Sequence, residues 1–88
     1  MEEIEDMIIA ILHAYPNRRW PCNIIDRVFL AIEQNPGYLK RYHEFADGDY
    51  ATTNSMIGRY VKDYTGMKTV KEMGKPLSSL IKNYTLLE

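Results

Sequence analysis

Four sets of chain breakers constrain this sequence more than any other feature. Pro16-Asn17, Asn35-Pro36-Gly37, Asp47-Gly48-Asp49 and Gly66 cut it into stretches that repeat apolar residues at spacings of three and four. That period matches the turn of an α-helix and not the two-residue alternation of a half-buried strand. In the first stretch Ile4, Met7, Ile8, Ile11, Leu12 and Tyr15 share one face. Glu2, Glu3, Glu5 and Asp6 cluster at its start, where negative charge suits the positive end of a helix dipole.

Asn17 to Trp20 reads as a basic connector. Pro21 suits a first helical position, where a missing N–H leaves nothing unpaired. Ile24, Ile25, Val28, Phe29 and Ile32 form the second apolar stripe, and Asn35 is placed to cap a third helix that turns Tyr38, Leu39, Tyr42 and Phe45 inward. In the fourth stretch Thr52 or Thr53 is the expected cap, and Gly66 suits the left-handed residue that closes a helix. Ile57, Tyr60, Val61 and Tyr64 gather on one side of it, with Ser55, Arg59 and Lys62 opposite.

Beyond Gly66 the pattern weakens. Thr69-Val70-Lys71 is strand-like and Gly74-Lys75 can turn a short β-hairpin near residues 67–77, although Pro76 opposes a central strand. Ser78 or Ser79 then reads as the cap of a last short helix carrying Leu80, Ile81, Tyr84 and Leu87. The expected fold is all-α: a single helical domain over residues 1–88, with four main helices, a short C-terminal helix and room for a wing-like hairpin.

Composition narrows the class. Apolar residues make up 45% and charged residues 26%, as in a folded domain and unlike a disordered tail. The longest apolar run, Met7 to Leu12, falls far short of the roughly 20 residues that cross a bilayer, and the acidic opening is unlike a secretory leader. Cys22 is alone, so no disulfide forms within the chain. A cytoplasmic protein with no membrane partner is expected.

The chemical motifs resolve into ordinary structure. His13, His43 and Cys22 are too few and too scattered for a metal site. Asp47-Gly48-Asp49 lacks the later glycine and glutamate of a calcium loop and reads as a turn. Ser79-Leu80-Ile81-Lys82 has the S-x-x-K spelling without the elements that give it meaning, so Ser79 reads as a cap. Gly74-Lys75 lacks the upstream glycine of a phosphate loop, since Thr69 stands there, and Pro76 replaces the hydroxyl residue that should follow. No pair of carboxylates shares an apolar face. Neither an enzyme, nor a cofactor, nor a metal, nor a small-molecule substrate is expected.

Binding is the remaining class, and charge distribution points to a face. Residues 1–53 hold 5 basic and 9 acidic side chains, whereas residues 54–88 hold 6 basic and 3 acidic ones. Arg59 and Lys62 lie with Ser55 on the polar side of the fourth helix, and Lys68, Lys71 and Lys75 follow in the hairpin stretch. A helix bearing Ser, Arg and Lys followed by a basic hairpin has the layout of a winged helix-turn-helix, whose helix enters the major groove while the wing touches phosphate. The five basic residues would neutralise phosphates, with Asn54 and Ser55 near base edges or sugars. Two positions depart from the usual pattern: aligning Gly48 with the turn glycine sets Glu44 where a small residue packs and Asn54 where an apolar one is wanted.

The alternative is a protein partner, with a second copy of the chain among the candidates. Seven tyrosines and five methionines are many for so small a core, and both types are enriched at interface cores. Trp20, Tyr38, Tyr42 and Tyr50 are the candidates for such a surface, and the acidic and basic halves would complement each other across a homodimer. An adaptor, inhibitor or assembly factor is the function this reading implies.

Overall fold

Each of the four breakers ends a helix. In the computed structural model, which describes residues 1–67 and 77–83, α1 spans Glu2–His13, α2 Ile24–Gln34, α3 Pro36–Ala46 and α4 Tyr50–Thr65. The described residues contain no strand. Most of the stretch that allows a hairpin (residues 68–76), together with Tyr84 and Leu87, lies outside the described residues.

The local chemistry accounts for the boundaries. Glu2, Glu3 and Glu5 sit in the first turn of α1. Pro16 opens a tight turn through Arg18 in which Asn17 (φ 58°) and Arg18 (φ 54°) are both left-handed. Pro21 is not the first residue of a helix: it accepts the N–H of Ile24 in the turn before α2, because Asn23 has not yet taken helical dihedrals. Asn35 is extended, ends α2, and accepts the Tyr38 N–H at 3.1 Å, with Pro36 at the first position of α3.

The turn from α3 to α4 is three residues long. Asp47 (φ 47°) and Gly48 (φ 89°) both take the left-handed region, which glycine enters without steric cost. Asp49 caps α4 by accepting the Thr52 N–H at 3.2 Å. The helix therefore starts before Thr52 and Thr53, and Thr53 is buried within it. Gly66 (φ 68°) closes the helix as its spacing suggests.

The apolar stripes meet around α2, which contacts α1, α3, α4 and the C-terminal residues. Ile4, Met7, Ile8 and Leu12 of α1 pack with Val28, Phe29 and Ile32 of α2, Tyr42 of α3, and Ile57 and Val61 of α4. Tyr38, Leu39 and Phe45 are half-buried against this core. No helix among the described residues is long and apolar enough to cross a membrane.

Residues 77–83 form a strap over α2 and α4, ending in a 3-10 turn at Ser79–Asn83. Ile81 enters the core, but most of the attachment is polar. Asp26 of α2, 2% exposed, accepts the Leu77 N–H on both oxygens at 3.2 and 3.1 Å. Two turns along, Glu33 accepts from Ser78 Oγ (2.7 Å), Ser79 N (3.2 Å) and Ser79 Oγ (2.8 Å). Ser78 also receives the Leu80 N–H at 3.1 Å, the local capping role expected of Ser78 or Ser79.

Candidate functional site

The outer side of α4 follows from the burial of the inner one. With Thr53, Asn54, Ile57, Gly58 and Val61 turned into the core, the helical period forces Thr52, Ser55, Arg59, Lys62 and Asp63 outward, and all five are exposed. A shallow groove of about 630 Å³ runs along this side, with Met1, Met56 and Tyr60 supplying apolar surface and Ser55, Arg59 and Asp63 polar groups. Arg59 and Lys62 make no ion pair among the described residues, where the side-chain pair is Asp6–Arg41 at 2.7 Å. Among the described residues, both cations are thus exposed without an ion-pair partner.

Negative charge also stands close to the groove. Burial first, and the Glu5 carboxylate beside it second, push the Tyr60 hydroxyl above the ordinary tyrosine range. Asp63 adds a negative charge at the edge of the face.

A second cluster stands at the C-terminal end of α4. The left-handed pair Asn17–Arg18 carries the Arg18 guanidinium over the Trp20 ring, 4.7 Å from its centroid, and 5.5 Å from that of Tyr64. Arg18 Nη2 donates to the Tyr64 carbonyl at 3.3 Å, where a cation suits the negative end of the helix dipole. His13 Nε2 and the Tyr64 hydroxyl share a hydrogen bond of 2.8 Å, and Tyr60 stacks on Tyr64 at 6.2 Å with 24° between the rings. Trp20 is held from below, donating Nε1–H to the Leu12 carbonyl at 3.0 Å. Arg18 and Arg19 are exposed. Helical periodicity sets Tyr60 and Tyr64 on one side of α4 but does not join them to His13, Arg18 and Trp20. The signal available was the Arg18-Arg19-Trp20 run itself, basic residues beside an aromatic one just past a proline.

Ser55, Arg59 and Lys62 are thus brought together on one face, as their spacing requires. Asn54 is not with them. It is 0% exposed, donates from Nδ2 to the Leu80 carbonyl at 2.9 Å, and accepts the Tyr42 hydroxyl at 2.5 Å. One residue is about 100° of helix, so the neighbour of an outward Ser55 can point into the core. This corrects Asn54 as a base-contacting residue. Tyr42 is corrected likewise: it is 0% exposed, and burial pushes its hydroxyl to about 12, so it offers no surface to a partner. Trp20, Tyr38 and Tyr50 are half-buried on separate elements, and the Tyr50 hydroxyl is engaged with His43 Nδ1 at 2.7 Å. Lys68, Lys71 and Lys75 lie outside the described residues. Comparison with protein-family models, with curated proteins and with solved structures gave no match.

Proposed function

We propose that this protein is a small nucleic-acid-binding domain that presents α4 to the ligand, following a three-residue turn from α3. The observation that carries the reading is the exposed row Ser55, Arg59 and Lys62, with two cations that have no ion-pair partner among the described residues. The short α3–α4 connection supports it, since a glycine-bearing turn between two helices is how helix-turn-helix proteins project their reading helix. Arg59 has the fork geometry for phosphate or a guanine edge, Lys62 acts as a point charge on phosphate, and the Ser55 hydroxyl serves either.

The test is a fluorescence-anisotropy titration of labelled duplex at about 50 and 200 mM salt. Each phosphate neutralised adds about 0.9 to the slope of log affinity against log salt, so Arg59→Ala with Lys62→Ala should lower that slope by roughly 1.8. Far-UV circular dichroism should stay unchanged, because both side chains are exposed. Wild-type affinity and slope in the double variant would overturn the assignment of this face.

One observation favours a protein partner as the second reading: the apolar floor of the α4 groove, made by Met1, Met56 and Tyr60. A concave apolar strip with Arg59 and Asp63 at its rim suits a partner helix of mixed charge. Concentration-dependent sedimentation, or capture of a partner that is lost in Met56→Glu, would move this reading ahead of the first.

A further inference from the structure

We infer that the corner formed by Arg18, Trp20, Tyr60 and Tyr64 is a stacking site for unpaired bases, so that the nucleic acid bound here is single-stranded at this end of α4. The inference rests on the nucleic-acid reading above and refines its ligand class.

Three observations converge on it. The first is strain. Asn17 and Arg18 are consecutive non-glycine residues at φ 58° and 54°, a conformation that costs each about 1 kcal/mol and is held only where surrounding contacts demand it. What the turn achieves is the placement of the Arg18 guanidinium over aromatic surface, 4.7 Å from the Trp20 ring centroid and 5.5 Å from that of Tyr64. The second is the continuity of π surface: Tyr60 stacks on Tyr64, and Trp20 meets Tyr64 edge-on at 6.2 Å. Bases stack on aromatic rings and on arginine planes without regard to sequence, and only unpaired bases expose the faces that this requires. The third is charge. Arg18 and Arg19 are exposed, make no ion pair among the described residues, and stand at the same end of α4 as Lys62, so a strand's backbone meets cations beside the stacking surface.

Arg18 is the organising group. It has five N–H donors and spends one on the Tyr64 carbonyl, leaving the fork able to reach a phosphate or base edge while its outer face takes a base. His13 fixes the Tyr64 ring through the hydroxyl.

Trp20 is the single tryptophan of the chain, so its intrinsic fluorescence reports on this corner alone. Titration with a short oligothymidylate should quench it saturably, while the matching duplex should not. Arg18→Gly removes the guanidinium and relieves the left-handed strain, which offsets the lost Tyr64 carbonyl bond and ring contacts, so it should stay folded yet bind the single strand about tenfold more weakly. Tyr64→Leu should weaken binding similarly, whereas Tyr64→Phe keeps the ring and should bind nearly as the wild type does. A mononucleotide arm separates sources of the base: quenching by thymidine monophosphate at strand-like affinity overturns the strand assignment. Single-strand binding by anisotropy with no Trp20 response, or with no loss in Arg18→Gly, overturns the inference. Duplex binding that depends on Arg59 and Lys62 and proceeds without any single-strand response overturns this inference alone, whereas absence of both overturns the nucleic-acid reading with it.

Discussion

Asn54 joins three parts of the chain through one amide: its oxygen takes the Tyr42 hydroxyl from α3 and its nitrogen reaches the Leu80 carbonyl of the strap. A buried polar group left without its partner loses its hydration and gains nothing, at about 1–3 kcal/mol. Asn54→Ala strands two such groups and should destabilise the protein by about 2–4 kcal/mol, whereas Tyr42→Phe strands one and should cost about 1–3 kcal/mol, both read from urea unfolding midpoints. At this scale the sequence was legible where residue type and position agree. Gly66 and Asn35 occupy the ends that their backbone chemistry suits. It misled where a polar residue is buried, since Asn54 beside Ser55 looks like part of an exposed face and only the tertiary partners Tyr42 and Leu80 decide otherwise.

The helices themselves came through in their periodicity, and their starts did not. Thr52, Thr53 and Asp49 are all competent caps, and Asp49 prevails because the left-handed Asp47–Gly48 turn leaves it non-helical just ahead of Tyr50, with its carboxylate on the Thr52 N–H. Asp49→Ala should therefore lower stability by about 1 kcal/mol, while Thr52→Ala at its exposed position should be close to neutral, as thermal unfolding would record. The strap was harder to foresee, because its anchor pairs residues 45 and 46 positions apart. Hydrogen bonds from Ser78 first and Ser79 second hold the Glu33 carboxyl below the ordinary glutamate range. A group whose folded pKa is depressed stabilises the fold above its unfolded pKa, near 4.3, and that contribution fades as pH falls through the lower, folded value. Acid should thus loosen the strap as pH falls below the ordinary glutamate range. Glu33→Gln should flatten the dependence of unfolding midpoint on pH between about 5 and 3.

Across the whole molecule the acidic start of α1 comes close to α4, where the Glu5 carboxylate acts on Tyr60, within one turn of the exposed Arg59 and Lys62. A unit charge about 10 Å away in water contributes about 0.4 kcal/mol, so Glu5→Gln should raise affinity for an anionic ligand about twofold at low salt and not at high salt. That asymmetry was visible as a shift along the sequence. The aromatic corner was not, because His13, Arg18, Trp20 and Tyr64 come from three separate stretches that only the packed chain assembles. The Asn54 junction has one more consequence, concerning uniqueness and not strength. Four helices with interchangeable aliphatic stripes have several ways to interlock at nearly equal energy, and greasy contacts alone distinguish them poorly. A lone amide whose two ends must each find a mate admits a single arrangement, like a key cut for one lock. Replacing Tyr42 by Phe and Asn54 by Leu together should lower the melting temperature by less than the sum of the two single changes, yet broaden the amide resonances, as the chain samples interlocking states that the junction forbids.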